Sequence, residues 1–214
     1  MKIFLSGWTA AGKTTHARLL AAQTGWPCLH MSTIMRATIR HDRQTNHREW
    51  RPDDDTMRGN DPHIDRHVDN IMSGLIKDHP DVIVDAWLQP WLYQGSDALR
   101  LWIESDVRSR CAKAAVSHLR AGRRPHASLA TEIAAKDDFS VRHFRQLYHM
   151  RFGYDHDVFD LRLDNSKYIE RATIEDSDAG ILKFHGALCR ALTNEFGMRF
   201  KYDLPPDPPH GQAE

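Results

Sequence analysis

The sequence predicts an α/β fold, a five-stranded parallel sheet with helices on both faces. Three observations carry this. Short apolar runs alternate with stretches of helical spacing along most of the chain, the rhythm of strand–helix–strand units. The first run, KIFLSG, turns abruptly into the pattern G-x-x-x-x-G-K-T and then into good helix formers. A chain of 214 residues, 41% hydrophobic and 27% charged, suits one globular domain with a sizeable core.

The elements follow in order. Residues 2 to 6 read as a buried strand, and 13 to 23 as a helix with Ala17, Leu20 and Ala21 at helical spacing. PCLHM (27 to 31) reads as a short second strand, followed by a helical piece with Ile34, Met35 and Ile39. Residues 41 to 62 are polar and without periodicity, which predicts a mobile connection. Ile64, Val68, Ile71 and Leu75 repeat at helical intervals. DVIVDAW (81 to 87) is the third strand, and ALRLWIES (98 to 105) the fourth, leading into a helix through about residue 121. Gly122 and Pro125 break that helix, and a polar helix or helix pair fills roughly 129 to 150. FDLRLDNS (159 to 166) is the fifth strand. Thr173 and Asp176 stand at capping-box spacing before a helix that carries Ile181, Leu188 and Leu192. The expected domain runs from 1 to 205, and residues 206 to 214 read as a disordered tail.

Composition narrows the function classes. Lys and Arg total 29, as do Asp and Glu, so no overall positive charge points to duplex nucleic acid. RAGRRPH (120 to 126) is basic but has no interleaved aromatics. Cys28, Cys111 and Cys189 are widely spaced, with no C-x-x-C pair, and fit a reducing compartment. No run is long enough for a signal-peptide core or a membrane span. The expectation is a cytoplasmic protein acting on a small molecule, with no membrane partner; its oligomeric state is not legible.

The opening motif carries the chemistry. A polyphosphate needs several converging backbone N–H donors, and glycines let the chain wrap closely enough to supply them. The helix that follows adds the positive end of its dipole. Gly7, Thr9, Ala10, Ala11, Gly12, Lys13, Thr14 and Thr15 are the candidate nucleotide-binding residues. Lys13 would reach the β- and γ-phosphates of ATP, and the Thr14 hydroxyl would ligate Mg²⁺. A plain strand-to-helix turn has no need of the lysine and threonine. No guanine-reading N-K-x-D and no L-S-G-G-Q signature is present, which leaves a small phosphoryl-transfer enzyme with a lid.

Further along, STIMR (32 to 36), DPHIDRHVD (61 to 69), VIVDAWLQPW (82 to 91), LRLWIESDVRSR (99 to 110), KDDFSVRHFRQLY (136 to 148) and FDLRLDNSK (159 to 167) follow the loop. With these blocks the sequence resembles the nucleoside monophosphate kinases, most closely the short archaeal cytidylate kinases, over about residues 1 to 175. The resemblance implies a P-loop kinase fold with an acceptor-binding insertion at about 32 to 80 and a lid at about 120 to 150. It implies ATP and Mg²⁺, with Arg36 holding the acceptor monophosphate and Asp65 in the acceptor-binding helix. It places Asp85 near the metal and its waters, and Lys136, Asp137, Arg142 and His143 on the lid motif. Where the family has glycine-arginine after the third strand, this chain has Ala86 and Trp87. Lys136 replaces an arginine, the later lid arginine aligns best with His143, leaving Arg142 one place off, and on the helix after the fourth strand Arg108 matches but another arginine falls on Cys111, beside Arg110. Lysine cannot reproduce a bidentate arginine fork, so the departures imply an altered acceptor pocket.

Arg110, Arg123, Arg124, Arg142 and Arg145 form a pool of transition-state donors for a closing lid, or simply solvate polar helices. Lys13, Arg110, Lys136 and Arg142 are the candidate catalytic residues, and Arg36, Asp65, Asp85, Trp87 and Asp137 the candidate acceptor-binding ones. Asp85, with Thr14, is the candidate metal ligand; a strand-end cap is the plainer role for it, and an arginine pair for Asp65. Trp87 and Trp91 either stack on a base or pack as core aromatics. His63, His67 and Asp69 are spaced as a metal trio, though 14 histidines make such pairs common. Three readings stay open: a kinase for CMP, dCMP or a modified pyrimidine monophosphate; a kinase for a hydroxyl of a non-nucleotide, as shikimate and gluconate kinases are; or a nucleotide-binding module without turnover.

Overall fold

Five short strands, β1 (Lys2–Gly7), β2 (Cys28–His30), β3 (Val82–Asp85), β4 (Ala98–Glu104) and β5 (Leu161–Asp164), form one parallel sheet in the order β2-β3-β1-β4-β5. The structure is a computed structural model, and it describes residues 1–43 and 52–200. β1 lies at the centre, pairing Ile3 with Ile83 on one side and Leu99 on the other. All six of its residues are buried, which is why the sequence reads as a continuous apolar run rather than an alternating one.

Alternate side chains of β1 serve two cores. Ile3 and Leu5 point to the face covered by α1 (Lys13–Thr24) and α8 (Ile174–Phe196), meeting Leu20, Leu188 and Leu192. Phe4 points to the face covered by α2 (Met31–Arg43) and α4 (Pro62–Asp78), meeting Met35, Val68 and Met72. A third, aromatic cluster of Trp102, Phe144 and Phe152 lies under α7 (Leu129–Tyr148), with Trp8 and Trp91 packed against it. Trp91 of the short helix α5 (Gln89–Leu92) is thus a core aromatic. α6 (Val107–Arg120) follows β4, its first turn capped by Asp106, whose carboxylate accepts from Ser109 N.

Two expectations need correction here. The stretch 41 to 62 contains the end of α2 and a nine-residue helix, α3 (Pro52–Asn60). Residues 44–51 of that stretch, like the tail at 206–214, lie outside the described residues. α3 escapes a periodicity reading because little of it is apolar; a buried ion pair at Arg58 docks it. The capping box is also only half made. Thr173 accepts from Asp176 N, but the Asp176 carboxylate reaches back past the cap to Glu170 N and Arg171 N. The region 129 to 150 is one helix, not a pair.

Candidate active site

The carboxyl ends of the strands converge where open parallel sheets collect ligands: the loop after β1, His30 closing β2, Asp85 closing β3, Ser105 after β4 and Asn165 after β5. The loop from Gly7 to Gly12 depends on glycine at both ends. Gly7 has φ 150°, and a Cβ there would stand 2.5 Å from Ile103 O. Gly12, at φ 93° and ψ 8°, caps α1 from a left-handed conformation that a side chain resists. Between them Ala10 sits at φ 61°, a strained value for a residue with a Cβ.

The loop is held from several directions. Lys13 Nζ donates to Gly7 O at 2.9 Å and Trp8 O at 2.8 Å. Asn165 Nδ2 donates to Ala11 O at 2.7 Å. Arg110 Nη1 donates to Thr9 O at 3.2 Å, and the Asp137 carboxylate accepts from Thr9 N at 3.1 Å while pairing with Arg110. Burial pushes the Lys13 ammonium below its usual value, Arg110 adds to that, and the Asp85 and Asp137 charges oppose it.

Two cavities meet at this loop. The larger, about 640 Å³, runs from Gly12–Thr15 to Tyr168, Gly180 and Phe184. The smaller, about 190 Å³, lies beyond Lys13 and Thr14 and reaches Arg58 and Trp87. Lys13, Thr14, Arg36 and Lys136 line both. Thr14 Oγ1 donates to Asp85 Oδ2 at 2.5 Å, and His30 Nδ1 stands 3.1 Å from the same oxygen. The Thr14 hydroxyl, which lines both cavities, and the Asp85 carboxylate, which lines the smaller, are hard oxygen donors of the kind that fit Mg²⁺.

The predicted residues separate into two groups. Lys13, Thr14, Arg36, Asp85, Trp87 and Lys136 line the smaller cavity. Asp65 does not: Arg58 grips it from Nε at 3.1 Å and Nη2 at 2.6 Å, and His143 Nε2 lies 2.9 Å from its Oδ2. Burial alone would raise the Asp65 carboxyl, but the His143 hydrogen bond and the Arg58 charge outweigh it and hold the group low. Asp137 and Arg110 neutralise each other against the loop backbone instead of lining a cavity. Arg142 is exposed and donates to Asp138 O one turn back, because Lys136, Ser140 and His143 occupy the inward face of α7. Arg108, Arg123, Arg124 and Arg145 are likewise exposed and line neither cavity. His63 and His67 are exposed, Asp69 accepts from Gln89 and Tyr148, and among the described residues no group of three or more His, Cys, Asp or Glu side chains is placed to hold a metal ion.

Sequence reasoning missed Arg58, which is 1% exposed with its guanidinium against Trp87, Phe139 and Phe144. Its segment offers no periodic signal. His30, Lys113 and Asn165 were also missed, although Asn165 ends the stretch FDLRLDN that marks the fifth strand. Behind α1, His16 and His185 stack 3.5 Å apart, Nδ1 to Nδ1, and burial lowers them to about 3 and about 4. They are a neutral packing pair.

Sheet order, loop geometry and flanking helices define a P-loop kinase fold. A protein of known structure from Eubacterium ventriosum superposes with a TM-score of 0.54 at 12% identity, covering 85% of this chain and 95% of that one. One from Thermus thermophilus gives 0.50 at 15%, covering 90% and 98%. No family model matches. Among curated proteins, the cytidylate kinase of Desulfurococcus amylolyticus is 25% identical over 171 residues, 79% of this chain and 85% of that protein. The chain therefore resembles the cytidylate kinases in sequence, as its motifs led one to expect. No helix among the described residues is long and apolar enough to cross a membrane.

Proposed function

We propose that this protein is an ATP-dependent kinase that transfers the γ-phosphoryl group to a pyrimidine nucleoside monophosphate: CMP, dCMP or a modified relative. The observation that carries the reading is the meeting of the two cavities at Lys13. Lys13, Arg36 and Lys136 line the smaller cavity with Asp85, while Arg58, which lines it too, is held by Asp55 and Asp65. That excess favours an acceptor that is itself an anion, and the Trp87 ring offers a flat wall for a base. The likeness to a cytidylate kinase supports the same acceptor class.

In this reading the larger cavity takes ATP, its triphosphate over the loop amides and the amino end of α1. Phosphoryl transfer needs the two substrates in line and the charge on the moving group neutralised. Lys13 swings from the Gly7 and Trp8 carbonyls to the β- and γ-phosphates. Arg36 holds the acceptor phosphate, and Lys136 of α7 faces the junction where the group moves. Thr14 and Asp85 would hold Mg²⁺, which would supply charge neutralisation on the phosphates. The segment 32 to 80 then acts as the acceptor-binding region and 120 to 150 as the lid, within one domain.

The test is ADP release measured across nucleoside monophosphates and small polyhydroxy alcohols. The expected result is turnover with a pyrimidine monophosphate and, for Lys13→Ala, a loss of about a hundredfold or more. Turnover on a non-nucleotide alcohol alone, or full activity in the variant, overturns the assignment.

A further inference from the structure

Lys113 belongs to the inward face of α6, three residues beyond Arg110. Arg110 is taken by Asp137 and Thr9, so Lys113 is the nearer α6 cation to line the larger cavity. Its ammonium donates to Ser105 Oγ at 2.8 Å and to Asn165 Oδ1. Asn165, 2% exposed, uses its other end to donate to Ala11 O. Its backbone N is fixed to Glu104 O at 3.0 Å. A chain of hydrogen bonds thus runs from α6 through the end of β5 to the middle of the phosphate loop.

The direction of this chain has a physical consequence. A carboxamide has one accepting and one donating end, and an ammonium can only donate. With Lys113 against Oδ1, the amide must present Nδ2 to the Ala11 carbonyl. Turned over, it would set oxygen against oxygen at a buried site, which costs the desolvation of both. The amide also lies directly beside the loop, with Nδ2 only 3.6 Å from where a Cβ on Gly12 would stand. Holding the Ala11 carbonyl fixes the plane of the Ala11–Gly12 peptide, next to Ala10 in its strained conformation.

We propose that Lys113 is a positioning residue of the donor site: acting through Asn165 it locks the loop in its phosphate-receiving form, and its charge assists Lys13 beside the triphosphate. The inference rests on the reading that the larger cavity takes ATP.

Burial lowers Lys113 to about 8, opposed by Asp106 of the α6 cap and Asp164 of β5 and reinforced by Arg110. His16 of α1 also faces it and is neutral in this range. A bound polyphosphate favours the charged amine. Affinity is therefore full while Lys113 is protonated and falls as pH rises through about 8. Lys13 contributes its own titration, but a Lys113→Arg variant keeps Lys13 and removes only the Lys113 component, because arginine stays charged.

The experiment is calorimetric titration of the whole protein with ADP, which needs no acceptor. Lys113→Met and Asn165→Ala are each expected to weaken ADP about tenfold, the scale of one charge-assisted hydrogen bond. Because the two share the path through Asn165 while the Lys113 charge also acts directly, the double variant is expected to lose less than the product of the two single losses. Lys113→Arg is expected to keep the affinity near pH 7 and to flatten its decline toward about pH 9. A Lys113→Met protein that binds ADP within about twofold of wild type, or additive losses, overturns the proposal. If Lys113→Met does not fold by thermal melt, identical pH profiles for wild type and Lys113→Arg overturn it instead. Failure of the wild type to bind ADP sinks the donor-site reading itself, a separate outcome.

Discussion

Asp65 joins three helices through one carboxylate. Arg58 of α3 and His143 of α7 both bond it, and it belongs to α4. Exchanging Asp65 for asparagine leaves Arg58 buried against an amide that repels one of its donors, a loss of about 3–5 kcal/mol for a broken buried pair. For a chain of this size that is a fall in Tm on the order of 10 °C, readable by a thermal melt. If Asp65 instead contacted the acceptor, Asp65→Asn would leave Tm alone and raise the acceptor KM. The sequence shows Asp65 as an acidic residue in the right helix, but its partner Arg58 sits in a segment with no apolar rhythm. Pairings made by charge across helices leave no periodic trace, so such contacts are the least legible. Lys13 and Thr14 are legible because loop and helix form one contiguous motif whose spacing is its geometry.

At the scale of elements, α8 comes against the 3-10 turn Ser166–Tyr168 so closely that a Cβ on Gly180 would stand 1.7 Å from Tyr168 O. The obstacle is backbone, so no rotamer can relieve it. Gly180→Ala is expected to push the turn away from the helix at a cost of about 1–3 kcal/mol. Tyr168, Gly180 and Ile181 line the larger cavity, so the same variant is expected to bind ADP more weakly while Lys13 remains intact. Unchanged ADP affinity with a lowered Tm would separate the turn from nucleotide binding. The strands and α8 are legible element by element, the strand ends to within two residues, and Thr173 caps α8. The nearness of α8 to the turn is not, because a glycine inside a helix looks the same whether it faces solvent or another backbone.

For the molecule as a whole, strand–helix alternation announces a parallel sheet, but the order β2-β3-β1-β4-β5 is a property of how crossovers pack, which no local stretch encodes. The same limit applies to the site. The larger cavity is built around the loop and the start of α1 with residues from α6, α7 and α8, whereas the smaller adds residues from α2, α3 and the end of β3. Because the two cavities share Lys13, Thr14, Arg36 and Lys136, the proposed function implies that a single molecule would occupy both. A polyphosphate linking adenosine to a pyrimidine nucleoside is therefore expected to raise Tm more than ATP and the monophosphate added together at the same concentration. At about one hundred times its Kd, such a ligand adds about 2.7 kcal/mol to folding, or roughly 5–10 °C in Tm at this chain length. An acceptor of another kind gives a different pattern. The linked compound then stabilises no better than ATP, because its second nucleoside finds no cavity, while the ATP half still protects the loop.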